Sequence, residues 1–344
     1  MNLLDQRDAL AALPARSANA AVTLRLGVSE HLAPIPYVRE RIKLEFRAWV
    51  HGVHTRRWLD VLNSHPAFVD YVRHCPRLIQ KIYRPYLTSH LDMGQRLAVL
   101  ASHYRFIFRH GLGATVAQAA NAGVPLGETV GKTGSRYRIV LRAVEPMERE
   151  GELVLQLFEA STLIYSVAFT FSDVEGFGMV SIGCIQGPKG GDGRALIRNA
   201  TRELHGTRPK QLLVSLVSQL GYELGCTQLR LVSNANRVVH RAMRQGRVLA
   251  DYDQLWREMG SVMRCDGDFQ LACAPPPALE LDKICSKKRS EARKRHQLTV
   301  ALAAATARAF CLRAAFAQGA VGYCQPLLQA NTLPSAPSLR SITA

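Results

Sequence analysis

The sequence predicts an α+β protein in which a helical region comes first and a largely antiparallel sheet with helices follows. From Pro36 to Arg109, apolar residues recur at three- and four-residue spacing, the period of a helix that buries one face. Beyond Gly134 the period falls to two, in successive apolar runs joined by short charged or glycine-containing links. Between these stretches, Gly111, Gly113, Gly123, Gly127, Gly131 and Gly134 mark the change. The expected division is a loosely ordered segment over 1–34, a helical region over 35–130 and a sheet-plus-helix domain over 131–285. A basic, Ala-rich helical region over 286–332 and a disordered Ser/Pro-rich tail over 333–344 complete it.

In the helical region, Tyr37, Ile42, Leu44, Phe46, Trp49 and Val50 alternate with arginines, which predicts a half-buried helix. Ser64 and Pro66 signal the start of another helix, and Pro76 and Pro85 punctuate the chain beyond it. Leu91 to Arg109 carries Leu97, Leu100, Tyr104, Ile107 and Phe108 on one broad face, as a core helix does. His103 within it reads as a hydrogen-bonded structural group. Residues 114–122 read as a short helix inside the glycine-rich boundary. Four strands come next, Tyr137–Val144, Glu152–Phe158, Leu163–Phe171 and Met179–Ile185, and their short links predict an antiparallel meander.

The stretch from Met179 to Arg241 has a site-building order, because strand ends and helix starts bring unpaired backbone N–H groups together. Gln186, Lys189 and the glycines around them form a turn able to approach a phosphate closely, although the spacing of a nucleotide P-loop is absent. Arg194, Arg198 and Arg202 share a helix face. Pro209 suits a first helical position, so the helix from Pro209 to Leu224 has its N-terminus flanked by His205, Arg208 and Lys210. The strand Gln228–Val232 ends in Ser233-Asn-Ala-Asn236, and Asn234 and Asn236 offer amides to a polar ligand or to turns. Candidate binding residues are therefore Gln186, Lys189, Arg208, Lys210, Asn234 and Asn236. Candidate proton-transfer groups are His205, Asp251 and Tyr252, of which the carboxylate needs a raised pKa to act as a base.

Apolar content of 47% with 21% charged residues describes a globular chain, not a disordered or fibrous one. A net charge of +17 favours an anionic small molecule, an acyl carrier, an anionic membrane surface or nucleic acid. No zinc finger, RNP pattern or arginine–glycine repeat supports the last. Eight scattered cysteines without a Cys-x-x-Cys pair read as buried reduced thiols, and no metal site is expected. The first twenty residues lack a basic segment followed by an apolar core, which predicts the cytoplasm, with peripheral contact at the inner membrane as the extension. Arg308 and Arg313 interrupt the apolar segment 299–318 and argue against a spanning helix. The basic block Lys287, Lys288, Arg289, Arg293, Lys294 and Arg295 is a candidate surface for anionic lipid or nucleic acid, or a solvated helix face.

Seven stretches in consistent order, spanning about residues 35 to 300, resemble the bacterial VirK/YbjX family, the DUF535 group. They are Arg84-Pro-Tyr-Leu87, Gln95 to Tyr104, Ile182 to Gly187, Leu204 to Leu213, Val232 to Asn236, Asp251-Tyr-Asp253 with Trp256, and Ser286 to Arg289. The resemblance implies a role in envelope integrity, antimicrobial-peptide resistance, virulence or stress response, and brings no catalytic residues with it. The order of antiparallel strands, loop, helix and strand is also similar to the acyl-CoA-binding core of GNAT-type N-acyltransferases, which implies acyl-CoA as cofactor. The chain departs from that pattern in lacking a Gln/Arg-x-x-Gly-x-Gly/Ala turn, in the additional helix at 194–204 and in Pro209. The competing expectation is a non-enzymatic basic factor that binds an anionic membrane surface or nucleic acid.

Overall fold

The computed structural model describes residues 21–174, 177–188, 192–239 and 251–317. It opens with helices α1 (Pro34–Val50), α2 (Gly52–Asn63) and α3 (Ala67–His74), then a 3-10 stretch over Pro76–Tyr83. Helix α4 (Met93–Arg109) starts at a capping box. The Asp92 carboxylate accepts from Gln95 N–H while the Gln95 side chain accepts from Asp92 N–H, satisfying two amides that the first turn leaves open. Helix α5 (Gly113–Asn121) closes the helical region.

Strands β1 (Val124–Val130), β2 (Arg136–Ala143), β3 (Leu153–Glu159), β4 (Thr162–Val174) and β5 (Phe177–Gln186) form the antiparallel meander. Helices α6 (Gly193–Glu203) and α7 (Pro209–Glu223) then carry the chain back to β6 (Cys226–Leu231), which lies parallel to β5. A crossover of that length is what a parallel neighbour requires. Helix α8 (Tyr252–Glu258) leads to the hairpin β7 (Val262–Met263) and β8 (Phe269–Ala272), and helix α9 (Ser286–Ala317) ends the described chain. The eight-stranded sheet has the order β1-β2-β3-β4-β5-β6-β8-β7. The fold is α+β, helices first and a mostly antiparallel sheet after them.

Three differences from the sequence reading have physical causes. The stretch read as a glycine-rich boundary holds β1, so the sheet begins at Val124. Gly127 is there because a Cβ would lie 3.1 Å from Thr306 Oγ1 and 3.3 Å from Leu302 Cδ1 of α9, and its glycine marks close approach, not a loop. In the segment read as loosely ordered, residues 1–20 lie outside the described residues. Val22 and Val28 are nevertheless buried in the main core, and Asn63 bonds the backbone of Val22 in both directions. Among the described cysteines, Cys75, Cys184, Cys226 and Cys273 are buried as free thiols, but Cys265 and Cys285 are exposed. The expected tail over 333–344 lies outside the described residues.

Helical region and sheet share one apolar core. Helix α4 lies on β4, α7 covers β3 to β6, and α9 closes over α7 and β1. Helix α7 buries Leu212, Leu213, Leu216, Val217 and Leu220, the face that its sequence spacing specifies.

Candidate functional site at the parted end of β5 and β6

The parallel pair β5–β6 runs in register to Ile182 opposite Leu231, and β5 then continues to Gln186 with only β4 beside it. The parting begins at a β-bulge, where Ala168 of β4 faces Cys184, Phe169 faces Ile182, and Gly183 is the additional residue. Gly183 admits no side chain, since a Cβ there would sit 2.0 Å from the carbonyl oxygen of Glu150. An isolated glycine inside an apolar strand is the sequence sign of such a bulge.

One side chain occupies the edge that β6 leaves. The Tyr252 hydroxyl accepts from Ile185 N–H at 2.7 Å and donates to the Ile185 carbonyl, with Cys184 Sγ 3.3 Å away. Arg237 lies over the Tyr252 ring, 3.8 Å from its centroid, and donates to its hydroxyl at 3.0 Å. Burial is the main cause holding the Tyr252 phenol well above its ordinary pKa, and the Cys184 thiol is pushed up to about 11 for the same reason. Tyr252, expected as a general acid, is thus a buried strut that does for β5 what a neighbouring strand would do.

Asp251 caps α8 by accepting from Gln254 N–H, and also accepts from Asn234 Nδ2 at 2.8 Å. The Asn234 hydrogen bond, followed by that from Gln254 N–H, lowers its carboxyl. A general base needs the opposite shift, and both hydrogen bonds place the Asp251 carboxylate at the start of α8 as its cap. Asn234 also accepts from Tyr252 N–H, while its own N–H is taken by Asp253. Asn236 is the hub of a second network. Its amide donates to the fully buried Asp268 at 2.8 Å and to the Asp266 carbonyl, and its Oδ1 meets His90 Nε2. Arg230 completes this network at 2.6 Å from Asp268. Both asparagines therefore tie the end of β6 to α8, to the turn before β8 and to the helical region, as turn residues do.

The other expected residues spread along the same end of the sheet. Gln186 is exposed at the tip of β5. Lys189 lies outside the described residues. Arg208 precedes α7 and pairs with Glu258 of α8 at 2.9 Å, and Lys210 is half-buried in the first turn of α7. His205 has a left-handed backbone with φ of 54°. Its Nδ1 is buried without a hydrogen-bond partner, 4.0 Å from Glu291 of α9, which also pairs with Lys132. Glu203, two residues earlier, accepts from Thr133 N–H in the β1–β2 turn. His205 thus lies beside Glu291, which pairs with Lys132 of the β1–β2 turn, while the Tyr252 hydroxyl lies on the β5 backbone. The three proton-transfer candidates do not form one constellation. Sequence reasoning missed Gly183, the Ile185 backbone, Arg237 and Asp268, which are the groups that shape the parted end.

A second buried polar cluster joins the helical region to the sheet. Lys81 and Glu152 pair at 2.5 Å, both almost fully buried, and Tyr104 donates to the other oxygen of Glu152. Burial works to raise the Glu152 carboxyl, but the nearby charge of Lys81 leads the effects that outweigh it and hold it below its usual value. His103 accepts from Phe171 N–H, and burial lowers its pKa to about 4. The neutral imidazole has the structural role that its sequence position indicates. A shallow cleft beside the cluster is lined by Arg77, Lys81, Arg84, Pro85, Tyr86, Glu148 and Arg149. Arg77 and Arg84 both face Glu148, so part of its positive charge is already answered. Among the described residues no group of His, Cys, Asp and Glu is placed to hold a metal ion, and no helix is long and apolar enough to cross a membrane.

These features define an α+β protein with a mixed sheet in which, among the described residues, one strand pair is parallel and parts at its C-terminal end. The chain belongs to the VirK/YbjX family: the family described as "Protein of unknown function (DUF535)" matches residues 35–308. It is 29% identical over 252 residues to the "Uncharacterized protein YbjX" of Escherichia coli K12, covering 71% of this chain and 76% of that one. It is also 22% identical over 194 residues to the "Membrane protein LapB" of Mannheimia haemolytica, covering 54% of this chain and 81% of the relative. Among solved structures, a cAMP-binding acyltransferase from Mycobacterium smegmatis aligns over 62% of each chain at 12% identity with a TM-score of 0.27, too low to carry an argument.

Proposed function

We propose that the protein binds a carrier-linked acyl group, acyl-CoA or an acylated carrier protein, at the parted end of β5 and β6 and transfers the acyl group to an amine acceptor in the service of the bacterial envelope. The observation that supports this reading is the unshared edge of β5. Ile185 offers one N–H and one C=O there, both held by a single side chain, Tyr252. An extended, amide-bearing arm such as pantetheine needs such a donor and acceptor, and it takes them when Tyr252 swings aside. The GNAT-type order of elements seen in the sequence agrees with it, as does the name of the Mannheimia relative for the envelope. In the reaction the amine nitrogen attacks the thioester carbonyl, the C–N bond forms, the C–S bond breaks, and the amine proton ends on the departing thiolate. Arg208 and Lys210 serve the carrier phosphates.

The test is a thermal-shift titration of the purified chain with CoA, short and long acyl-CoAs, acyl carrier protein and plain nucleotides. A ligand that binds the native state raises its stability by about 2.7 kcal/mol at a hundredfold excess over Kd. The expected result is a saturable shift with an acyl-CoA or acyl carrier protein, weakened in Arg208→Ala/Lys210→Ala. In Tyr252→Phe the shift should reach half-saturation at lower ligand concentration, because the competing hydroxyl is gone. Absence of any shift in a cooperatively melting protein overturns the proposal.

A further inference from the structure

Helix α1 turns its apolar stripe outward. Leu44 and Ala48 are its buried residues, while Ile35 and Trp49 are 84% and 79% exposed and Val38, Ile42 and Phe46 are each more than half exposed. At 3.6 residues per turn these five side chains fall within about 80° of arc, on the side opposite Leu44. Val50, the last residue of α1, and Val53 of α2 are also about half exposed, and Phe46 and Trp49 stand with ring centroids 6.1 Å apart. Soluble proteins seldom leave so continuous an apolar surface in water without a use for it.

The charges beside the stripe identify what covers it. Arg39 and Lys43 follow along one margin; on the other, Glu45 lies nearest the stripe with its partner Arg41 behind it, and Arg56 and Arg57 of α2 are exposed. The acidic residues of α1, Glu40 and Glu45, are engaged by Lys43 at 3.0 Å and Arg41 at 2.5 Å, which leaves the helix with a net positive charge. An apolar stripe with aromatic residues on it and basic residues at its margins is the pattern of a helix lying in a lipid headgroup layer, with the long basic side chains reaching back to the phosphates. A second copy laid on the same stripe would set cationic margins against each other. The basic block of α9, by contrast, has Lys287, Lys288, Arg293, Lys294 and Arg295 exposed with no large exposed apolar side chain among them.

We propose that the outer face of α1 is a docking surface for an anionic phospholipid bilayer, with Ile35, Ile42, Phe46 and Trp49 entering the headgroup layer. This goes beyond the acyl-transfer reading and stands or falls without it. It also moves the membrane contact from the α9 block to α1.

The chain supplies its own reporter. Of its three tryptophans, Trp58 and Trp256 are buried, so a change in emission on docking comes from Trp49. The full chain is mixed with vesicles of pure phosphatidylcholine and with vesicles of an even phosphatidylcholine–phosphatidylglycerol mixture, and read by co-sedimentation and by tryptophan emission. The expected result is a blue shift and sedimentation with the anionic vesicles, much weaker with the neutral ones. The double variant Ile42→Asp/Phe46→Asp, which alters only exposed positions, should melt as the parent does and lose about tenfold in the bound fraction. Lys287→Glu/Lys288→Glu should retain most binding. Binding that survives the α1 variant and disappears with the α9 variant overturns the proposal in favour of the α9 block. Failure to bind either vesicle also overturns it. In that event, self-association removed by the α1 variant would assign the stripe to a second copy, and a Trp49 shift on deleting residues 1–20 would assign it to that segment.

Discussion

Two of the buried polar clusters among the described residues answer their charges and hydrogen bonds in different ways. At the joint between helices and sheet, Lys81, Glu152 and Tyr104 satisfy one another from three separate elements, and every partner is a side chain fixed by surrounding core. At the parted end of β5, a side chain satisfies a strand's backbone, a task that another backbone performs equally well. A buried ion pair cannot exchange its partner without leaving a charge in the interior. A strand edge held by a hydroxyl can exchange it for any chain that brings one donor and one acceptor. The first cluster is therefore a weld, and under the proposed acyl-transfer function the second is an exchangeable contact, a difference of kind that composition alone does not reveal.

The largest expected effect breaks the weld. Lys81→Met leaves Glu152 as an uncompensated buried carboxylate and should cost about 3–5 kcal/mol in urea denaturation. Lys81→Met combined with Glu152→Leu should recover much of that loss. If the single variant costs less than about 1 kcal/mol, the joint is not a weld. Next comes acid. His103 has a pKa near 4 in the folded chain against 6.5 ordinarily, so between those values the unfolded state binds the extra proton. Its contribution is complete above pH 6.5 and is lost as pH falls toward 4, about 3 kcal/mol over the window. Glu152, whose carboxyl is lowered, also contributes at neutral pH, and its share is lost as pH falls through its folded value. Urea midpoints measured from pH 7.5 to 4.5 should therefore fall less steeply in His103→Gln than in the parent. Equal slopes would remove His103 from the account.

Much of this fold is legible in the sequence because the relevant interactions are periodic and local. Helix α7 and strands β2 to β5 announce themselves by spacing, and the Pro209 start of α7 lies where its fixed φ allows. The illegible part depends on contacts distant in sequence. Gly127 looks like a loop residue until α9, some 175 residues later, is seen against it. Lys81 and Glu152 are 71 positions apart, and no local pattern in the sequence pairs them. Asp251 and Tyr252 stand out together as chemistry-bearing types, yet an N-cap and a strand clasp use the same atoms as catalysis. Helix α1 is the reverse case. Its spacing reads as a half-buried helix, but Ile42, Phe46 and Trp49 face solvent, since periodicity names an apolar face without saying what meets it.

The smallest effect sharpens the comparison at its most ambiguous residue. Asp251 accepts from Gln254 N–H and Asn234 Nδ2, the contacts of a capping residue. Removing the cap in Asp251→Ala should cost about 1 kcal/mol, and the loss should also loosen Tyr252, the next residue in the chain. Asp251→Asn keeps an acceptor oxygen at the same position and caps a helix about as well, so stability should be unchanged to within a few tenths of a kcal/mol. An amide cannot accept a proton as a carboxylate does. Acyl transfer that survives Asp251→Asn therefore leaves Asp251 with the helix, whereas transfer lost at unchanged stability and unchanged ligand affinity would return it to the chemistry.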